Sequence, residues 1–254
     1  MIALDLFCGA GGVSMGLHRA GFKMIGVDMT RQRHYPFTFV QADALKPPFD
    51  LSRFDLIWAS PPCQAHTSLR SMPNAKPHVD LIPATRELLK SIGKPWVMEN
   101  VPGANTLQVH LILCGTMFGL GTGAAELRRH RLFEFSFPAC ILTPPCQHYA
   151  REKVIGVYGG PVHDRRRLKP RTVGVYGDGN GRDYRKNPAR PKTVGVYGRA
   201  GGASVRDGTQ QFSTAERAEA MGIDWMTGNE LSQAIPPAYS EFIGRSLREQ
   251  LGIQ

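Results

Sequence analysis

The sequence predicts an α/β protein: a mainly parallel sheet covered by helices, with a small insert of short β-strands and loops. Over the first 135 residues, short apolar runs alternate with amphipathic stretches, as expected for strands buried on both faces. From residue 138 glycine, proline and arginine dominate, and the helical pattern returns at residue 213. We therefore expect one domain built from residues 1–137 and 213–254, interrupted by an insert at residues 138–212.

The first strand is predicted at Ile2–Phe7, an apolar run that ends in the glycine-rich turn Cys8–Gly12. A helix is expected at Ser14–Ala20, and Gly21 ends it because glycine tolerates the left-handed conformation of a helix terminus. The same alternation predicts strands at 23–28, 54–60 and 95–99 and a helix at 81–92. The carboxyl ends of parallel strands meet at one edge of the sheet, where α/β proteins bind their ligands.

The insert contains a short repeat, at Val154–Gly159, Val173–Gly177 and Val194–Gly198. Each copy pairs β-branched residues with a glycine, which predicts a short strand that ends at the glycine. The tyrosine in each copy could stack on a nucleic-acid base, but we favour packing within the insert's own sheet.

Two helices are expected after the insert. Ser213 and Glu216 form a capping box, which predicts a helix from there to about Met221. A last amphipathic helix is expected to begin near Pro236-Pro237 and to run to Leu251.

The net charge of +10 is concentrated in the insert. Residues 151–206 contain 14 lysines and arginines and four acidic residues, while the remainder of the chain is neutral overall. Such a basic block predicts contact with a polyanion; the alternative is a solvated loop region whose charges aid solubility. The residues expected to contact nucleic acid are Arg165, Arg166, Arg167, Arg182, Arg185 and Lys186.

Length, composition and cysteine content exclude several classes of protein. A chain of 254 residues with 42% hydrophobic and 20% charged residues is typical of a soluble globular protein. No apolar run approaches the roughly 20 residues that span a bilayer, and no secretory signal is evident, so we expect a cytoplasmic protein. Five cysteines, an odd number without regular spacing, argue against a disulfide framework.

One cysteine is placed for nucleophilic chemistry. Cys63 follows two prolines and a predicted buried strand, so its thiol is expected at the ligand-binding edge of the sheet. A lone cysteine is more often an inert buried thiol. Here Glu99-Asn100 leaves another strand end, and Arg129 and Arg131 precede a further strand. A nucleophile, an acid and positioning arginines together predict a catalytic set.

These motifs, in this order, resemble the cytosine-5 DNA methyltransferase family, especially its short forms typical of phages and actinobacteria. The resemblance covers residues 1–137 and 213–254, and the insert corresponds by position to the family's target-recognition region. It implies a Rossmann-like S-adenosylmethionine-dependent methyltransferase fold, with S-adenosyl-L-methionine as the methyl donor. The cofactor-binding residues that it implies are Phe7, Gly9, Gly11, Gly12, Asp28, Asp43, Pro62 and Gln233.

The resemblance also implies a reaction and a substrate. The catalytic residues would be Cys63, Glu99, Asn100, Arg129 and Arg131. Cys63 would attack a cytosine flipped out of double-stranded DNA, and a methyl group would be transferred to carbon 5. We expect a monomer with no obligate protein partner, in a bacterial host or phage-infected cell, with restriction–modification as one context.

The chain departs from the family pattern at two positions and repeats one motif. Leu127 replaces the glutamine of the QxRxR signature, and Gln233 replaces the usual asparagine of the last motif. Cys146 lies in a second Pro-Pro-Cys-Gln string, but outside the motif order, so we do not expect it to be the nucleophile.

Three alternatives stay open at this point. The substrate could be tRNA, or the chain could be a catalytically idle DNA-binding protein on the same scaffold. We assign no metal ligands, although Cys140, Cys146 and His148, with His163, could instead hold zinc in the insert.

Overall fold

The computed structural model describes residues 1–66, 78–123, 125–137, 142–146, 148, 154–156, 193–195 and 212–250. The chain divides into two compact units. The first comprises residues 1–113, 131–144 and 233–254, and the second residues 114–130 and 145–232. Residues 114–130 and 213–232, which the sequence analysis places with the catalytic domain, thus group with the second unit. The functional division of the chain stays a prediction.

The first unit is built on a seven-stranded sheet with the order β3-β2-β1-β4-β5-β9-β6. The strands β1 to β5 pair in parallel, whereas β9 pairs antiparallel with both β5 and β6. The strands are β1 (Ile2–Leu6), β2 (Lys23–Asp28), β3 (Thr38–Gln41), β4 (Leu56–Ala59), β5 (Trp96–Asn100), β6 (Leu111–Leu113) and β9 (Arg131–Phe135). Strand order reverses at β1, between β2 and β4, which is where open α/β sheets bind their ligands.

Helices cover both faces of this sheet. On one face, Leu4, Ile57 and Met98 pack with Ile82 and Leu89 of the helix α2 (Ile82–Ile92), and all five are fully buried. On the other face, the ring of Phe133 contacts both Trp58 of β4 and Tyr239 of the helix α5. The helices of the first unit are α1 (Gly12–Arg19), α2 (Ile82–Ile92) and α5 (Pro237–Gln250).

The strands and helices predicted in the first unit are confirmed, and their ends differ from the predicted ends by two residues or fewer. The fold prediction, an α/β Rossmann-like sheet, is also confirmed. The short strand β3, with two half-buried and two exposed residues, was not predicted from the apolar pattern. The antiparallel position of β9 between β5 and β6 could not be deduced from its own sequence either.

The second unit contains a four-stranded sheet with the order β11-β10-β8-β7. Its strands are β7 (Gly121–Thr122), β8 (Ala125–Arg128), β10 (Val154–Gly156) and β11 (Thr193–Gly195). The strands β10 and β11 lie in the first and third copies of the sequence repeat and pair in parallel, while the second copy lies outside the described residues.

The second unit also contains the helix α3 (Thr214–Met221) and all but the last residue of the helix α4 (Gly228–Gln233). The predicted capping box is confirmed: the Glu216 backbone N–H donates to Ser213 Oγ, and the Ser213 N–H donates to the Glu216 carboxylate. The helix α4 was not predicted. None of the helices in the described ranges is both long and apolar enough to cross a membrane.

A buried polar chain supports the turn between β1 and α1. Ser14 Oγ lies 2.6 Å from Asp5 Oδ2 and 2.7 Å from the Tyr35 hydroxyl. Asp5 is completely buried, and burial raises the pKa of its carboxyl from 3.8 to about 7. Burial also raises the pKa of the Tyr35 phenol well above its ordinary range. The Asp5 carboxyl in this hydrogen-bonded group is therefore protonated at most pH values below about 7.

A buried ion pair joins α2 to β9. Arg86 Nε and Nη2 lie 2.6 and 2.7 Å from the two carboxylate oxygens of Glu134, a bidentate geometry. Arg86 also donates to the Thr106 carbonyl, and Glu134 accepts from the Gln108 N–H. Both ions are thus well satisfied, as buried charges require.

We expect Arg86→Met to destabilise the first unit by about 3–5 kcal/mol, because it leaves the Glu134 carboxylate buried without its cation. Arg245→Met is the matched control, since Arg245 pairs with Glu241 on α5 while its own side chain is 62% exposed, and such surface pairs contribute at most about 1 kcal/mol. Urea unfolding followed by tryptophan fluorescence measures both. Equal destabilisation by the two substitutions would contradict the role assigned to the buried pair.

The raised pKa of Asp5 predicts a pH-dependent stability. The folded state holds a proton on Asp5 up to about pH 7, and the unfolded state loses it near 3.8, so this contribution to stability is present below about pH 4 and is lost by about pH 7. The stability of Asp5→Asn relative to wild type should therefore rise between pH 4 and pH 8, by up to about 4 kcal/mol. Urea unfolding at several pH values measures this change. Asp50→Asn is the control, because the pKa of the exposed Asp50 is lowered by its bonds to Ser52 and gives no change in this window.

Candidate active site

The glycine-rich turn after β1 has a backbone adapted to a ligand. Phe7 adopts a left-handed conformation with φ of 60°, a strained state for a residue with a side chain. Gly9 also has positive φ, and a Cβ atom on it would meet no atom within 4 Å. The space beside Gly9 is therefore open, so a ligand can approach the backbone closely.

The turn is also held against the last motif of the chain. A Cβ atom on Gly12 would lie 2.4 Å from the Ile235 carbonyl oxygen, so only glycine fits there. This close approach brings the stretch Gln233–Pro237 next to the start of α1. Gln233 itself is exposed, and its role in cofactor binding stays a prediction.

Asp28 ends β2 beside the same turn. Its Oδ2 accepts the Gly9 N–H at 3.1 Å and its Oδ1 accepts the Thr30 N–H at 2.8 Å. The carboxylate is oriented by these bonds and retains lone pairs for ligand hydroxyls. The Asp28 carbonyl accepts the Ala42 N–H at 3.1 Å, which brings the exposed Asp43 close to the end of β2.

Cys63 lies just beyond the carboxyl end of β4. Pro61 is buried, and the half-buried Cys63 begins a 3-10 turn, Cys63–Ala65. The His66 N–H closes this turn on the Cys63 carbonyl at 2.9 Å, and the His66 ring lies 2.9 Å from Asp80 Oδ1. The nucleophile motif is therefore anchored at both ends.

Asn100 joins this turn to the neighbouring strand. Its side-chain Nδ2 donates to the Pro61 carbonyl at 2.9 Å, and its Oδ1 accepts the Val101 N–H at 2.9 Å. Asn100 is almost completely buried at the end of β5, which pairs in parallel with β4. The Nδ2 bond thus holds the Cys63 segment against β5, while the Oδ1 bond to Val101 orients the amide.

Glu99, the preceding residue on β5, pairs with Arg131 at the start of β9. Arg131 Nε lies 3.0 Å from Glu99 Oε1, and the two side chains are 4% and 7% exposed. The antiparallel register of β5 and β9 places Glu99 opposite Phe133 and Asn100 opposite Leu132. The structure therefore brings Cys63, Glu99, Asn100 and Arg131 to the ends of adjacent strands.

Arg129, two residues earlier, belongs to the second unit. It is completely buried there, and its Nη2 donates to the Ser232 carbonyl at 3.1 Å. Leu127 is also fully buried, which explains why an apolar side chain is accommodated where the family signature has glutamine.

The six basic residues expected to contact nucleic acid lie outside the described residues.

Other cysteines are less suited to attack a substrate. Burial raises the pKa of the Cys8 thiol well above its ordinary value, so Cys8 stays protonated. Cys146 lies in the second unit, where its Sγ is 2.8 Å from His148 Nε2. Sequence reasoning missed that Cys114 and His130 join this pair. Fifteen residues separate Cys114 from His130 and another 15 separate His130 from Cys146, so only Cys146 and His148 are close in sequence. It also missed the bond from Asn100 to Pro61.

Comparison with known proteins agrees with this arrangement. Residues 1–110 match the family of C-5 cytosine-specific DNA methylases. The Type II methyltransferase M.HgiDI of Herpetosiphon aurantiacus is 28% identical over 140 residues, a match that covers 50% of this chain and 45% of that protein. The chain is thus matched to less than half the length of this relative.

Two solved structures share the fold over nearly the whole chain. One, from an E. coli prophage, is described as a DNA modification methyltransferase; it has a TM-score of 0.58 and 17% identity over 99% of each chain. The other is the Dnmt2 methyltransferase of S. pombe, with a TM-score of 0.55 and 13% identity over the full length of both chains. The stretch that matches the C-5 cytosine-specific DNA methylases, residues 1–110, contains the glycine turn, Asp28, Cys63, Glu99 and Asn100.

Proposed function

We propose that this protein transfers a methyl group from S-adenosyl-L-methionine to carbon 5 of a cytosine in double-stranded DNA, through a covalent adduct of Cys63. The observation that carries this proposal is the hydrogen bond from Asn100 to Pro61. It holds the Cys63 turn beside the end of β5, where Glu99 and its partner Arg131 lie. The nucleophile, just beyond the end of β4, and the acid, at the end of β5, are thereby held at the same edge of the sheet.

The residues around the glycine turn fit an adenosyl ligand. Open space beside Gly9 admits a ligand to the backbone, and the oriented Asp28 carboxylate can accept hydrogen bonds from ribose hydroxyls. Exposed Asp43 lies close by for the adenine amino group. When bound, S-adenosyl-L-methionine supplies an electrophilic methyl group.

The proposed chemistry follows from the electronic structure of cytosine, whose carbon 5 is a poor nucleophile. The Cys63 thiolate adds to carbon 6 while Glu99 hydrogen-bonds or protonates N3, which makes carbon 5 electron-rich. Carbon 5 then takes the methyl group, whose bond to the sulfonium sulfur breaks, so that S-adenosylhomocysteine is the leaving group. A base removes the proton from carbon 5, the bond from Cys63 to carbon 6 breaks, and N3 returns any proton it received to Glu99. The thiolate is regenerated and aromaticity is restored, so the atoms and charges balance.

The target base must leave the helix before Cys63 can reach it, at a cost of a few kcal/mol. Phosphate contacts offset this cost, and the basic block at residues 151–206 has the charge for them. We propose that this region recognises DNA and that Arg165, Arg166, Arg167, Arg182, Arg185 and Lys186 contact it.

We expect Cys63→Ala to abolish methyl transfer while leaving the binding of S-adenosylmethionine within about twofold of wild type, because only the attacking atom is removed. Transfer of a labelled methyl group to duplex DNA measures the first quantity, and calorimetric titration the second. Wild-type protein should form a stable adduct with duplex DNA containing 5-fluorocytosine, since fluorine blocks the loss of the carbon-5 substituent. Peptide mapping should locate this adduct at Cys63.

The same experiment separates the alternatives. Ordinary cytosine DNA is the control for the trap, and an adduct mapped to Cys146 or retained in Cys63→Ala would overturn the assignment of the nucleophile. Label incorporated into tRNA but not DNA would identify an RNA methyltransferase. DNA binding with no incorporation into either substrate would identify an idle DNA-binding protein.

We expect Asp28→Asn to weaken the binding of S-adenosylhomocysteine by about tenfold or more, because the uncharged amide is a weaker acceptor for ribose hydroxyls and can accept only one of the two backbone N–H bonds well. Asp55→Asn is the matched control. Asp55 also accepts a backbone N–H, from Ile2, but lies at the opposite, amino-terminal edge of the sheet. Equal affinity losses in the two variants would contradict the site.

A further inference from the structure

Four potential metal ligands meet in the second unit, in a cluster that the proposed methyl transfer does not use. They are Cys114, His130, Cys146 and His148, and one ligand atom of each lies within 4.8 Å of those of the other three. Cys114 is completely buried and the other three are half-buried. We propose that these four residues form a structural zinc site.

The distances fit a tetrahedral ion. With Zn–S of about 2.3 Å and Zn–N of about 2.0 Å, a sulfur and a nitrogen on one zinc ion lie about 3.5 Å apart. Cys114 Sγ is 3.4 Å from His148 Nε2, and Cys146 Sγ is 3.5 Å from His130 Nε2. The contact between Cys146 Sγ and His148 Nε2 is 2.8 Å, so these two atoms must separate by about 0.7 Å when they bind the ion.

The ligand chemistry selects zinc. Two thiolates and two imidazoles in a compact tetrahedral arrangement are typical of structural zinc sites, whereas calcium and magnesium prefer oxygen ligands. Two thiolates also neutralise the double charge of the ion, and the two thiol protons pass to solvent on binding. The partly buried site therefore gains no net charge.

Neighbouring groups orient the ligands. The Thr116 hydroxyl donates to Cys114 Sγ at 3.5 Å and lies 3.6 Å from Cys146 Sγ. Arg128 of β8 donates to the His148 carbonyl, and this bond holds the His148 backbone against β8. Arg128 is itself paired with Glu126 of the same strand. Such outer contacts are typical of metal sites, because they fix the direction of the ligand atoms.

The position of the site indicates its purpose. Cys114 and His130 bound the segment 114–130, and Cys146 and His148 stand at the start of the segment 145–232. The ion would therefore fasten both ends of the first segment to the start of the second. The described strands of this unit are only two to four residues long, and small domains with little sheet often need a metal to fold.

The test uses full-length untagged protein, purified with zinc in the medium and dialysed against metal-free buffer. We expect one zinc per chain by mass spectrometry. After replacement by cobalt(II), we expect the intense visible absorption of tetrahedral coordination together with thiolate-to-cobalt charge transfer. Absence of bound zinc, or a cobalt spectrum that lacks both features, would overturn the proposal.

Variants assign the ligands. Cys146→Ser should lower zinc affinity by more than 100-fold in competition with a chromophoric chelator, and Thr116→Val by about 10–100-fold. Cys63→Ser is the matched control and should retain one zinc per chain. If Cys146→Ser fails to fold, His148→Cys keeps the proposal testable: it should still bind cobalt, with stronger thiolate charge transfer. An unchanged cobalt spectrum in His148→Cys, or loss of metal in Cys63→Ser, would show that the ion lies elsewhere.

Discussion

The parallel pairing of β1 with β2 and β4, and of β4 with β5, is the constraint on which the candidate site depends. Parallel strands that share a register end at one edge, so the segments that follow them are brought together without any specific contact between them. The glycine turn follows β1, Asp28 ends β2, and Cys63 follows β4. These residues are far apart in sequence, but the sheet gives them one common location.

Specific hydrogen bonds then fix the positions of the loops that follow these strands, which the sheet alone determines only approximately. The Asn100 amide spans from β5 to the Pro61 carbonyl, and the Asp28 carboxylate spans from β2 to the Gly9 N–H. Each bond connects the end of one strand to the loop that follows its neighbour. Because the donors and acceptors belong to buried or half-buried groups, breaking such a bond would leave a polar group without a partner. These bonds therefore tie the loops of the site to the neighbouring strands.

Local sequence patterns were sufficient to predict the strands and helices that build this edge. The apolar run before Cys8, the capping box at Ser213 and the glycine after Ile92 each act over a few residues, so they can be recognised without knowledge of the fold. The long-range features could not be predicted. The position of β9 between β5 and β6 depends on pairing across the sheet, and the bidentate contact of Arg86 with Glu134 joins residues 48 positions apart.

The two Pro-Pro-Cys-Gln strings show why environment, rather than local sequence, decides what a cysteine does. Cys63 follows a strand of the central sheet, with Asn100 and Glu99 on the adjacent strand. Cys146 has the same preceding prolines, but it lies among Cys114, His130 and His148. A half-buried thiol at a sheet edge where an acid also lies is suited to attack a substrate, whereas a thiol among three further nitrogen and sulfur ligands is suited to bind a metal cation. Duplicating the string therefore does not duplicate the function, because the groups that define each site come from distant parts of the chain.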